Sequence, residues 1–437
     1  MPFIADFHIH SHYSRATSKD MCPEGIWRWA QLKGVRIIGT GDFTHPQWLK
    51  ELDEKLEPGG DGLFALRKEF QTGDVPASCR ADIRFILTAE ISCIYAKNGR
   101  TRKVHCVMLA PDFAGAARIN LALAKIGNLH SDGRPILGLD AKELLKISLD
   151  ASPESVLIPA HAWTPHFSVL GAASGFDSLE ECFEELTPRI CSLETGLSSD
   201  PLMNWRLSAL DRYTLVSNSD AHSAAKIGRE ANIFDTDIAY PAIVQSLRTR
   251  RGFLGTIEFF PEEGKYHNDG HRDCGVNFTP EETIGHNYLC PVCGKKVTVG
   301  VMHRVEKLAD REHGFRPEGA PVFTSIIPLP EIIAEGLRCG VNTKKVEAVY
   351  FSLLEKLGSE FNILMAAPLD DIERAGTPLL REAVSRMRAG RVNITPGYDG
   401  EFGKVRIFEE PERKAIKGQL SLWGSPRSRG HAGQSTE

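Results

Sequence analysis

The feature that most constrains this chain is a unit repeated through its first 255 residues: a short β-prone run, then a residue able to bind a metal ion. The runs are Phe3–Phe7, Val35–Thr40, Ile83–Thr88, Lys103–Leu109, Ser155–Ile158, Ile190–Leu193 and Tyr213–Val216. Stretches with helical spacing lie between most of them, among them Glu24–Lys33, Ala141–Leu149 and Leu179–Glu185. Strands alternating with helices predict an α/β fold with a parallel sheet. Seven units in this length fit a closed barrel better than an open sheet, and barrel enzymes gather their chemistry at the C-terminal ends of the strands.

The residues at those ends are His8 and His10, Asp42 and His45, Glu90, His105, His161, Glu194, and finally Asp220 and His222. Taken singly, His105 reads as a half-buried histidine and Glu90 as a solvated loop acid. The pairs are more specific. In His8-Ile9-His10, alternate strand residues project from one face and can grip one ion, and Asp220-Ala221-His222 repeats that geometry. His12, His130 and His166 have no matching place in the pattern. Two ions about 3.5–4 Å apart can activate a water and hold the attacking and leaving oxygens of a phosphate ester. Imidazoles suit zinc, whereas carboxylates suit manganese or magnesium. Beside the first pair, the loop Ser14–Lys19 offers Arg15, Ser18 and Lys19 to phosphate oxygens.

Six segments resemble the PHP (polymerase and histidinol phosphatase) metallophosphoesterase family: Ala5-Asp6-Phe7-His8-Ile9-His10, Gly41-Asp42-Phe43-Thr44-His45, Thr88-Ala89-Glu90, Val104-His105, Ile158-Pro159-Ala160-His161 and Asn218-Ser219-Asp220-Ala221-His222. The resemblance implies a seven-stranded, distorted TIM-like barrel holding two or three divalent metals, usually zinc, manganese or iron. It makes His8, His10, Glu90, His105, His161, Asp220 and His222 ligands, with Glu90 a bridge and Asp220, Glu90, His8 and His10 the catalytic core. Two departures stand out. Tyr13-Ser14-Arg15-Ala16 lacks the family's aspartate after the first pair, and Asp42-Phe43 replaces its Asp-His, leaving His45 as a substitute.

The ten cysteines are too unevenly spread for a disulfide scaffold. After the basic helix end Arg248-Thr249-Arg250-Arg251 comes His271-x2-Cys274, fifteen residues, then Cys290-x2-Cys293, the pattern of a closed structural zinc site with His267 competing for the first ligand. The expected organisation is a catalytic barrel over 1–255, a zinc module over 256–320, an α+β DNA-binding domain over 321–410 and a disordered tail over 411–437. Helical spacing in the third part falls at Leu329–Leu337, Lys344–Leu357 and Leu379–Ala389. The barrel motifs, Ser14–Lys19, Gly41–Pro46, the zinc module and Val301–Arg311 together resemble the endonuclease Q family. That resemblance implies cleavage of damaged DNA 5′ to deaminated bases (hypoxanthine, xanthine, uracil) and abasic sites. In the tail, Gln419, Leu420, Leu422 and Trp423 resemble the peptide by which bacterial repair proteins dock on the DNA polymerase sliding clamp.

A net charge of −5 argues against a uniformly basic nucleic-acid coat but leaves room for a local basic groove. No apolar run reaches the ~20 residues of a membrane span, and no signal pattern opens the chain, so a cytoplasmic, nucleoid-associated protein is expected. A small-molecule phosphatase has no evident use for the zinc module, third domain and clamp peptide. A non-catalytic DNA-binding scaffold would not need so complete a ligand set.

Overall fold

The computed structural model describes residues 1–409 and Glu412; the clamp-like peptide Gln419–Trp423 lies outside the described residues. The strands are β1 (Phe3–Asp6), β2 (Ile37–Gly39), β3 (Leu56–Gly60), β4 (Leu63–Leu66), β5 (Arg84–Lys97), β6 (Arg100–Ala110), β7 (Ile136–Leu137), β8 (Val156–Pro159), β9 (Ser192–Glu194), β10 (Thr214–Val216), β11 (Ala231–Phe234), β12 (Phe253–Glu258), β13 (Asp269–His271), β14 (Val276–Phe278), β15 (Val322–Ser325), β16 (Asn393–Thr395) and β17 (Lys404–Arg406). Every expected run overlaps a strand, and helices occupy Pro23–Lys33, Ala141–Ala151 and Leu179–Phe183 between them.

The fold is mixed α/β, and the expectation of a parallel sheet needs correcting. The main sheet runs β15-β12-β11-β1-β2-β5-β4-β3, with β6 pairing β5 and β8. Its centre, β1-β2-β5, is parallel, but β5 and β6 form a long antiparallel hairpin from Leu87↔Ala110 to Lys97↔Arg100. The turn is Asn98-Gly99, with φ of 54° and 72°. Two consecutive residues at positive φ give the turn twist that matches paired strands, and Asn-Gly tolerates it best. Reading β5 and β6 as separate barrel units overlooked that dipeptide.

The ladder also does not close into a barrel among the described residues. β9 and β10 form a separate parallel pair. At one side of that pair, the Ala162 N–H donates to the Glu194 carbonyl beyond β8 (2.9 Å). On the other side the Asn232 amide bridges to β11, accepting from Ser217 N (3.0 Å) and donating to Ser217 O (2.8 Å). A side chain thus occupies backbone groups that a continuous ladder would use.

Apolar packing holds this frame together. Trp48, Trp163, Phe7, Phe43, Phe85, Phe176, Phe183 and Phe234 are fully buried, each contributing about 1.5–3 kcal/mol on removal from water. The chain then returns to the same sheet, since β15 pairs in parallel with β12. The helix Val301–Leu308 docks on the first half through Arg304, which donates to the carbonyls of Leu170 and Phe176 (2.8 Å each) and to Asp177 (2.7 Å).

Helices Leu329–Leu337 and Lys344–Leu357 fill the expected spans, and Pro378–Arg388 lies within one residue of its own. Thr343 caps the second, accepting from Val346 N. These helices join the first half at a buried ion pair. Lys33 Nζ donates to Glu360 Oε2 at 2.6 Å, and the same carboxylate accepts from Tyr350 Oη (2.8 Å) and Leu329 N (2.9 Å). Among the described residues no helix is long and apolar enough to cross a membrane.

Removing one partner of a buried pair leaves the other charge uncompensated, which typically costs about 3–5 kcal/mol. Glu360→Ala is expected to destabilise the protein on that scale in a urea titration. An unchanged midpoint would show that this contact does not hold the two halves together.

Candidate metal centre

The chain leaves β1 in extended form through Phe7 to His10 and lies beside the segment after β10, where Ile9 bridges Ala221 in parallel and His10 N donates to Ala221 O (3.0 Å). This register brings the His8-Ile9-His10 and Asp220-Ala221-His222 motifs side by side. His10 Nε2 lies 3.0 Å from Asp220 Oδ1 and 3.3 Å from Glu90 Oε2. His8 Nε2 lies 3.5 Å from Glu90 Oε2 and 3.6 Å from Asp220 Oδ1. Ligand-capable atoms of His8, His10, Glu90 and Asp220 all fall within 4.8 Å of one another.

A second group shares Glu90. Its other oxygen lies 2.7 Å from His105 Nδ1 and 3.1 Å from His161 Nε2. Glu90 and His105 reach one face of the hairpin because Glu90 pairs Val107 and Ser92 pairs His105 in the β5–β6 register. One buried carboxylate therefore faces two clusters at once.

The structure places Asp42 and Glu194 behind the histidines rather than in either cluster. His8 Nδ1 sits 3.1 Å from both Glu194 oxygens, and His10 Nδ1 sits 3.1 Å from Asp42 Oδ1. Glu194 accepts from Asn218 Nδ2 and from His161 N (2.8 Å each). Asp42 Oδ2 accepts from Ser11 N (2.6 Å), Ser11 Oγ (2.7 Å) and Ser14 Oγ (2.8 Å). A carboxylate on the far nitrogen fixes an imidazole's tautomer and leaves the other nitrogen free to face an ion. His45 points away, its Nε2 lying 3.3 Å from His130 O and its ring stacked on Tyr13 at 4.4 Å. His222 stays adjacent, with its ring 4.4 Å from that of His10, but lies outside both clusters.

The electrostatics fit a cation-binding site. Burial alone would push His8 and His10 down, yet Glu194, Glu90 and Asp220 around the first, and Asp42 and Asp220 around the second, hold both well above the ordinary imidazole range. Burial would likewise raise Glu90 and Asp220; the facing imidazoles, His105 and His8 for Glu90, and His8 and His10 for Asp220, hold both below the usual carboxylate range. His8 Nε2 is buried without a hydrogen-bond partner, which is costly unless something else occupies it. Imidazole nitrogens and carboxylate oxygens are the donors divalent transition metals take.

Local backbone conformation supports the arrangement. Asp42, His161 and Asp220 adopt φ of 50°, 30° and 46°, a region sparsely populated by residues other than glycine. Gly196 (φ 65°) packs against His161, where an added Cβ would sit 2.5 Å from the histidine's own. Arg134, with no sequence pattern to single it out, donates from Nη1 to Glu90 Oε2 at 3.1 Å. The Ser14–Lys19 loop is tied alongside by Ser18 N donating to His222 O (2.8 Å); Arg15 and Lys19 are exposed there, Arg15 pairing with Asp132 at 3.3 Å.

A separate cluster gathers His271, Cys274, Cys290 and Cys293, with ligand-capable atoms within 4.8 Å of one another; His267 is buried outside it. The local apolar core is only Val276, Cys290 and Val297, too small to hold the β13–β14 hairpin and its loops unaided.

Comparison with known proteins agrees with this architecture. Residues 328–391 match the MJ0043 C-terminal domain family. The chain is 30% identical over 272 residues to the uncharacterized protein MJ0043 of Methanocaldococcus jannaschii, covering 60% of this chain but only 33% of that protein, so the chain spans about a third of its length. The crystal structure of the lesion-specific endonuclease PfuEndoQ from Pyrococcus furiosus superposes with a TM-score of 0.82 at 31% identity, covering 96% of this chain and 99% of that one. A structure of Endonuclease Q with a 27-mer duplex substrate, an abasic lesion at its active site, matches with a TM-score of 0.80 at 31% identity over 94% and 98% of the two chains. The chain belongs to the endonuclease Q family.

Proposed function

We propose that this protein is a metal-dependent DNA repair endonuclease that cuts the phosphodiester 5′ to deaminated bases (hypoxanthine, xanthine, uracil) and abasic sites. The observation that carries the proposal is the convergence of His8 Nε2, His10 Nε2, Glu90 and Asp220 on one point, with Glu90 shared by His105 and His161. The full-length likeness to a lesion-specific endonuclease, and to the homologue bound to abasic DNA, supports a damaged duplex as the substrate.

His8, His10, Glu90 and Asp220 would hold one ion, and Glu90, His105 and His161 a second, with His222 at the edge; zinc or manganese suits this donor set, and magnesium is a further candidate in catalysis. Divalent ions at such a pair supply Lewis acidity for an attacking water and for the phosphate oxygens. The chain's own contribution is orientation. Asp42 and Glu194 fix the two histidines, and Ser11, Ser14 and Asn218 fix those carboxylates in turn. Arg134, with Arg15, Ser18 and Lys19 on the neighbouring loop, offers positive charge and hydrogen bonds to the strand backbone. His271, Cys274, Cys290 and Cys293 would hold a structural zinc, which accounts for a module with so small a core. Lesions are selected by extrusion from the stack, which costs least where pairing is already damaged.

Duplex oligonucleotides carrying a single hypoxanthine, uracil or abasic site, with manganese or magnesium added, are expected to be nicked on the 5′ side of the lesion only. Asp220→Ala should abolish the nick while still binding the lesion duplex in a gel-shift assay. Hydrolysis of a phosphate monoester with no cut in any duplex would return a small-molecule phosphatase to first place.

Glu194→Gln keeps the shape but removes the charge behind His8. Such substitutions typically cost about 10–100-fold in metal affinity or activity. Cleavage restored by raised manganese is the expected signature; wild-type activity at low metal would remove Glu194 from the site.

The peptide Gln419-Leu420-Ser421-Leu422-Trp423 is proposed to tether the enzyme to the sliding clamp, since leucine and aromatic anchors give short peptides their affinity. Truncation after Gly418 should spare cleavage of short duplexes and abolish clamp capture in a pull-down. Capture by the truncated chain would refute the assignment.

A further inference from the structure

At the opposite end of the strands from the metal centre lies a cavity of about 490 Å³ whose lining includes Arg189, Arg212, Arg248, Ser155 and Cys191. It opens where β8, β9 and β10 begin, whereas His161, Glu194 and Asp220 sit where they end. β9 alone spans roughly 10 Å at about 3.3 Å per residue, so the two sites are physically separate.

The lining carries three guanidiniums and no carboxylate. Arg212 pairs with Glu180 at 3.4 Å, a contact about half exposed on both sides and worth little in water. Arg189 and Arg248 have no ion-pair partner among the described residues. Arg250, two residues on, is by contrast consumed structurally by the Asp211 and Tyr213 carbonyls. Three guanidiniums around one cavity, with no carboxylate in its lining, describe half of an anion site.

We infer that this cavity binds a compact phosphate-bearing small molecule of nucleotide size, with Arg189, Arg212 and Arg248 on the phosphates. The volume falls in the range of small-ligand pockets. Its recessed position between strand ends favours a small anion over a duplex, whose phosphates lie on a broad convex surface. Arginine forks match phosphate oxygens in geometry as well as charge.

The test is calorimetric titration of ADP into the intact, metal-loaded protein at low salt. A saturable component is expected that weakens at least tenfold in Arg189→Ala/Arg248→Ala, declines with added salt, and persists in Asp220→Ala. Lesion cleavage by the double arginine variant should match wild type, which also reports that the variant is folded. Three results would overturn the inference: no saturable binding up to millimolar ADP, binding lost only in Asp220→Ala, or a double variant that binds ADP normally but loses affinity for duplex DNA. The last would make this face a nucleic-acid track instead.

Discussion

The shared carboxylate of Glu90 is the constraint on which the centre depends. It is fully buried and faces imidazoles on both sides: His8 and His10 across one oxygen, His105 and His161 across the other. A charge in that position is tolerable only when compensated, because an isolated buried carboxylate would neutralise itself instead. Arg134 supplies part of the compensation. The proposed ions would supply the rest, turning mutual repulsion between Glu90 and Asp220 into joint attraction for a cation. The outer layer serves the same end, since Glu194 and Asp42 hold the histidines with their free nitrogens turned inward.

Much of this was legible in sequence because strand geometry is periodic. His8-Ile9-His10 and Asp220-Ala221-His222 announce themselves through the two-residue repeat of a strand, and Glu90, His105 and His161 through their places after β-prone runs. The distinction between a group facing the ion and one standing behind it was not legible. Asp42 and Glu194 end their runs just as Glu90 does, and they differ only by about one hydrogen-bond length in depth. The supporting roles of Arg134, Asn218, Ser11 and Ser14 lay beyond reach for another reason. These residues come from irregular segments whose placement is set by tertiary contacts such as Gly133 N to Tyr13 O, with no local spacing to reveal them.

The same limit explains the fold. Helix spans such as Lys344–Leu357 follow from apolar spacing and caps within the segment itself. Strand partners do not, because pairing direction depends on what joins two runs. Asn98-Gly99 decided that β5 and β6 fold back on each other, and the Asn232 amide decided that β10 meets β11 through a side chain. Sequence periodicity records which residues share a face but not which strand lies next door.

The β5–β6 hairpin has a consequence for how the molecule matures. Glu90 and His105 depend on its register, and a slip of one residue would turn one of them to the opposite face. The Asn98-Gly99 turn that sets this register lies at the far tip of the hairpin, well away from the residues it aligns. The remaining members of the centre come from Phe7–His10 and from the segment after β10, more than 200 positions apart in the chain. Assembly is therefore dominated by contacts of high sequence separation, which form late because loop-closure entropy must be met first. A nascent chain cannot complete the cluster until its first strand has met residues made some two hundred positions afterwards. Acquisition of competence is thus coupled to completion of this part of the fold, and a product stalled before Asp220 remains inert.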